Sequence, residues 1–137
     1  IHLRRSDYVR LGWDLPLSYY ESAIAFDEKI TEGPVAIFSD DRIVSTLFGD
    51  RLFAAGIDVY NQESVSSQSA LNDFVTISKS SRIVMSNSTF SWWGAWLGHN
   101  PNKFVISPHH TSWFGNGFTG GAPVDLIPEN WTQIKFR

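Results

Sequence analysis

Five short runs of β-favouring residues punctuate the chain: Ile1 to Arg4, Pro34 to Phe38, Ile57 to Tyr60, Arg82 to Ser86 and Lys103 to Ser107. Helical patterns fill the intervals. Ser18 followed three residues later by Glu21 has the form of a capping box, and Pro16 stands just ahead, where a helix start tolerates the missing N–H, so a helix is predicted over Tyr19 to Ile30. Asp41 to Ala55 reads as the next, stopped by Gly56. Leu71, Phe74, Val75 and Ser78 share one helical face, which makes Ser69 to Lys79 the third, and Ser91 to His99 is a fourth, closed by Pro101. Strand and helix alternate throughout. Parallel strands need crossover connections, so the alternation predicts an α/β fold with one Rossmann-like parallel sheet, covered on both faces, that takes its ligand at the carboxyl ends of the strands. After Pro108 the pattern degrades into an aromatic- and glycine-rich stretch, Ser112 to Gly121, which reads as a mobile surface loop.

Three segments at predicted strand ends carry chemistry. Arg4 and Arg5 end the first strand, followed by Asp7. The planar guanidinium holds phosphate oxygens bidentately, so a pair of them can grip a diphosphate without a metal. Asp40 and Asp41 end the second. After Ile83-Val84-Met85 comes Ser86-Asn87-Ser88-Thr89-Phe90-Ser91, a hydroxyl-rich turn into a helix. The free N–H groups and positive dipole end of that helix favour anions, and Ser88, Thr89 and Ser91 add hydroxyl donors. Period-2 alternation sends Arg4 and Arg5 to opposite faces, with His2 on the face of Arg4.

Each residue has a plainer reading. The arginines pair with Asp7 or a neighbouring acid, His2 is a neutral core histidine, and Asp40 and Asp41 cap the following helix. Trp92, Trp93 and Trp96 share one helical stripe and are assigned to packing rather than to sugar stacking. His109 and His110 point apart in an extended chain and lack a third ligand, so no metal site is expected.

Composition narrows the class. The chain has 137 residues, 42% of them hydrophobic, enough for one domain with a real core. Its net charge of −3 argues against nucleic acid, which rewards a broad basic face. No apolar run is long enough for a membrane span. The absence of cysteine excludes disulfides and fits a reducing compartment. A location in the bacterial cytoplasm or at the periphery of the inner membrane is expected, or the Golgi membrane in a eukaryote, with any membrane association arising from segments outside this sequence.

Three motifs, in order, resemble the α1,2-fucosyltransferase family of glycosyltransferases: H-x-R-R-x-D-Y at His2 to Tyr8, F-S-D-D at Phe38 to Asp41, and S-N-S-T-F-S-W-W-x-A-W-L at Ser86 to Leu97. Pro108 and Pro128-Glu129-Asn130-Trp131 resemble the family's C-terminal end. Ser6 stands where the family usually has glycine, and Gly94 where alanine is commoner. The resemblance implies the C-terminal, donor-binding half of a two-domain GT-B enzyme, with residues 1–137 forming a single GDP-fucose-binding domain and an N-terminal half lying outside the sequence. It implies inverting transfer of L-fucose from GDP-β-L-fucose to the 2-hydroxyl of a galactose unit on a glycan acceptor, with no metal cofactor. Arg4 is then the principal diphosphate contact, aided by Arg5; His2 lies near the guanine, and Asp73 accepts guanine N1–H and N2–H. On residues alone Asp73 is an exposed helix charge. Asp7, Asp40 and Asp41 are candidates for the base. The alternatives are another fucosyltransferase class, α1,6 or protein-directed, and a non-catalytic GDP-sugar or glycan-binding module. The 137 residues alone are expected to be catalytically silent.

Overall fold

The computed structural model describes residues 1–61, 67–114 and 122–136. Elements follow in the order β1 (His2–Leu3), α1 (Ser6–Leu11), α2 (Leu17–Phe26), β2 (Val35–Ser39), α3 (Arg42–Ala54), β3 (Val59–Asn61), α4 (Ser67–Lys79), β4 (Arg82–Val84), α5 (Thr89–Leu97), β5 (Phe104–Pro108) and β6 (Thr132–Ile134). All strand pairs are parallel, as the alternation requires, but they form two three-stranded sheets, β1-β2-β3 and β4-β5-β6, instead of one. Laid with β1 beside β4, the two sheets give the order 3-2-1-4-5-6 of a doubly wound nucleotide-binding fold, whose connection reverses direction between β1 and β4. The chain is therefore α/β and Rossmann-like.

Alternation along the strands builds a core on each side. Leu3, Val35, Ile37, Val84 and Ile106 face Tyr19, Tyr20 and Ala23 of α2 and Phe48 and Leu52 of α3. Phe38, Ile83, Met85 and Val105 face Ile77 of α4, Ala95 of α5 and the C-terminal Trp113, Ile127 and Trp131. Buried on both faces, these strands read as continuous apolar runs.

Several elements differ from expectation. Helix α2 begins at Leu17 with Pro16 at its cap; Ser18 lies inside the helix, where its backbone carbonyl accepts from Ser22 Oγ at 2.7 Å, and Glu21 reaches outward to Arg51, so the capping box does not form. The helix stops at Phe26, and a separate 3-10 turn, Glu28–Thr31, follows with Asp27 as its cap. On α4 the inward residues are Asp73 and Ile77, whereas Leu71 and Val75 are exposed, a stripe rotated from the predicted one. Short α1 and β6 were not anticipated: α1 is a single short helix without a side-chain cap, closed by Gly12 at φ 67, and β6 is only three residues long. Residues 115–121 of the predicted mobile loop lie outside the described residues; His110–Ser112 before them form a 3-10 turn.

Candidate functional site

Arg4 and Arg5 leave the carboxyl end of β1 and diverge. The Arg4 guanidinium lies between Asp7 (2.8 Å) and Asp40 (2.9 Å), above the ring of Tyr8, with about a third of its side chain exposed. Arg5 is less exposed; its Nη1 meets Asp14 at 2.7 Å and its Nε lies 3.7 Å from Asp41. The plainer reading of the pair as ion-paired arginines is therefore correct, and it extends to four carboxylates. Asp14 was missed in the sequence because no motif marks it. The left-handed turn at Gly12 folds the chain back after α1 and returns Asp14 to the strand end.

The second strand end is stitched to the first. The carboxylate of Asp40 accepts from Arg5 N–H at 2.8 Å, and its carbonyl accepts from the Ser6 hydroxyl at 3.0 Å. Asp41 is the N-cap of α3, accepting from Val44 N–H at 3.1 Å, so its capping role is real. Asp40 and Asp41 thus position the arginines. Asp7, opposite Arg4 and 42% exposed, has the freest carboxylate of the three base candidates.

Across the β1–β4 junction, the turn into α5 is neutral and buried. Ser88 is the α5 N-cap and its hydroxyl accepts from Phe90 N–H at 3.3 Å. Ser91 is fully buried and its hydroxyl points back to the carbonyls of Ser88 (3.2 Å) and Ser86 (3.4 Å), so it is not placed as a ligand donor, contrary to expectation. Thr89 is exposed at the helix start. Asn87, almost wholly buried, donates from Nδ2 to the carbonyls of Trp13 (2.7 Å) and Trp113, tying the α1–α2 loop and the segment after β5 to this turn. From below, Tyr19 donates its hydroxyl proton to Met85 O at 2.8 Å and packs edge-on against Tyr20; burial raises both phenol pKa values and keeps both protonated.

His2 is buried on the same side. Desolvation, followed by repulsion from the Ile1 amino group and Arg4, lowers its pKa to about 3, so it is a neutral imidazole. Its ring lies 5.5 Å from Phe90, which in turn lies 5.6 Å from Phe74, and this aromatic chain links β1 to α5 and α4. Asp73, adjacent to Phe74, is 5% exposed, so it is not the exposed helix charge that the residues alone allowed. Its burial on the inward side of α4 could not be read from the residues alone.

Two further expectations change. Trp92 packs most fully: its Nε1–H donates to Leu126 O at 2.8 Å and its ring meets Trp93 edge-on and stacks on Trp96, which are themselves each half exposed. His109 and His110 do not point apart; a 3-10 turn brings their rings to 4.2 Å, and His109 Nδ1 and Thr111 Oγ1 lie 2.8 Å apart. Among the described residues no group of three or more His, Cys, Asp or Glu side chains is arranged to hold a metal, and no helix is long and apolar enough to cross a membrane.

No family model and no solved structure matches the chain. Two curated proteins of Escherichia coli are similar to it. The O-antigen biosynthesis glycosyltransferase WbnK is 30% identical over 141 aligned positions, covering 98% of this chain and 43% of that protein. An alpha-1,2-colitosyltransferase is 29% identical over 142 positions, covering 98% of this chain and 47% of that protein. The chain thus spans about half the length of the curated relatives it matches. Over nearly all of its own length, then, this Rossmann-like chain is related to bacterial glycosyltransferases.

Proposed function

We propose that the chain is the donor-binding part of a glycosyltransferase that moves L-fucose, or a closely similar deoxy sugar, from a guanosine diphosphate to the 2-hydroxyl of a galactose unit. The observation that carries this is the placing of Arg4, partly exposed at the carboxyl end of β1, a strand whose His2 is in ring contact with Phe90 in the first turn of α5. Bound diphosphate exchanges with Asp7 and Asp40 for the Arg4 fork. As the glycosidic C–O bond breaks and charge builds on the leaving phosphate, Arg4 and the free N–H groups of the α5 start stabilise it without reorganising. Asp7, released from Arg4 by the phosphate, is the carboxylate best placed to take the acceptor proton. Arg5, held by Asp14 and Asp41, fixes the strand end, while neutral His2 and buried Asp73 border the base pocket. Metal independence follows from this division of labour, and acceptor-side residues come from polypeptide beyond these 137 residues, whose isolated activity is correspondingly low.

The name of one relative, the alpha-1,2-colitosyltransferase, favours a second reading in which the donor is a colitosyl nucleotide. Calorimetric titration with GDP, with Arg4→Ala and Arg4→Lys beside the parent chain, tests donor binding. Unchanged affinity in both variants overturns the site. Competition between fucosyl and colitosyl donors in a transfer assay with a longer parent protein decides the sugar.

A further inference from the structure

Between the two sheets lies a cavity of about 280 Å³, below β1, with His2 as the one candidate-site residue in its lining. Its walls are strands: Pro34, Val35 and Ala36 of the β2 side, and Arg82, Ile83 and Val84 of β4. Ile1 and His2 close its upper end. Lying between β2 and β4 and closed by Ile1 and His2, this slot continues the line of β1 toward the amino ends of those two strands.

Backbone groups line the lane in register. Ile1 N donates to Ala36 O at 2.8 Å and Phe38 N to Ile1 O at 2.9 Å, the last rungs of the β1–β2 ladder. Alternate residues of a parallel strand turn both backbone groups to the same neighbour. The N–H of Ala36 and the carbonyl of Pro34 are therefore the next rungs, facing the slot. On the opposite wall, Phe104 N bonds Ser81 O and Met85 N bonds Ile106 O, so Ser81, Ile83 and Met85 face β5, and Arg82 and Val84 turn their backbone groups to the slot. Side-chain space matches: Ile77 and Phe38 border the lane on one face of the sheet, and Ile30 and Val35 on the other.

We propose that this slot is a strand seat: it takes an extended, apolar stretch of about four residues at ~3.3 Å each, running into Ile1 and parallel to β2 and β4, which joins the two sheets into one of six strands. Continuity with the Ile1–Ala36 rung fixes the direction and register of the occupant. Ile30, Val35, Phe38 and Ile77 favour apolar side chains in it, although Lys29, Ser80, Ser81 and Arg82 also line the slot.

The test compares the 137-residue chain with versions extended ahead of Ile1 by four apolar β-formers, by a Gly-Ser stretch of equal length, and by the apolar stretch with proline at the second residue ahead of Ile1, whose N–H would meet Pro34 O. Amide exchange at Ala36, Arg82 and Val84 and the thermal midpoint are read for each. The apolar extension is expected to slow exchange at these amides by roughly tenfold and raise the midpoint by about 5 °C. Gly-Ser should leave both unchanged, and proline should remove much of the gain. Equal behaviour of the apolar and Gly-Ser versions, or of the apolar and proline versions, overturns the proposal.

Discussion

The two strand-end turns that meet at the candidate site are built on opposite principles. The β1–α1 turn is charged: two arginines are shared among Asp7, Asp14, Asp40 and Asp41, and the Arg4 pairs sit partly in water. The β4–α5 turn is neutral and dry, its side chains satisfied by backbone carbonyls and N–H groups. Exposed ion pairs contribute little to stability and exchange readily, so the charged turn is suited to hand a guanidinium to an arriving anion. Buried hydrogen bonds are costly to break, so the neutral turn supplies a fixed dipole. The charged turn therefore carries function at small cost to the fold, and the neutral turn carries the fold with function following from it.

The largest effect is expected from Asn87→Leu. It leaves the carbonyls of Trp13 and Trp113 without their buried donor, a loss of roughly 2–6 kcal/mol at about 1–3 kcal/mol per orphaned acceptor. Urea unfolding checks it, and a stability within 0.5 kcal/mol of the parent, on the order of an ordinary surface change, would erase the contrast between the turns.

Arg4→Ala reverses the pattern. Transition-state stabilisation in a longer parent enzyme should fall by about 2–4 kcal/mol, the scale of one preorganised oxyanion donor, while the unfolding midpoint hardly moves. Arg4→Lys should recover only part, since lysine lacks the fork. Paired kinetic and denaturation measurements decide it. A loss of stability equal to the loss of rate would make Arg4 a structural residue.

His2 sharpens the comparison through pH. Burial lowers its folded-state value from 6.5 to about 3, so the folded protein prefers the neutral ring. That preference is fully present above pH 6.5 and is lost progressively as pH falls toward 3. Stability should therefore decline on acidification, and His2→Phe should flatten the part of the profile below pH 6.5. An unchanged slope in that variant would show that His2 is not the group responsible.

The smallest effects separate two hydroxyls of one helix start. Ser91→Ala should cost about 1 kcal/mol of stability through its lost bonds to buried carbonyls, with GDP affinity unchanged. Thr89→Ala should leave stability within about 0.5 kcal/mol while weakening GDP binding a fewfold. Titration calorimetry with both variants reads the difference; the opposite result would restore Ser91 as a ligand donor.

Residue pattern alone determined the alternation of strand and helix, the parallel pairing that follows from crossover lengths, and the meeting of Arg4 and Asp40 at neighbouring strand ends. These depend on local periodicity and on the rule that ligands gather at strand carboxyl ends. Tertiary structure decided the rest. Which side of α4 faces inward depends on α5: a Cβ on Gly94 would lie 2.8 Å from Ile77 Cγ2, so the close approach of the two helices rotates Asp73 and Ile77 into the interface and turns Leu71 and Val75 out. The sequence cannot rank the hydroxyls at residues 88, 89 and 91, because their roles depend on which carbonyls the fold sets within reach. Asn87 acquires its importance from partners 74 and 26 positions away, and Asp14 from Arg5, nine positions back across the turn after α1. Local pattern is written in neighbouring residues, whereas burial, partner choice and the gap between β1 and β4 arise only when distant segments meet.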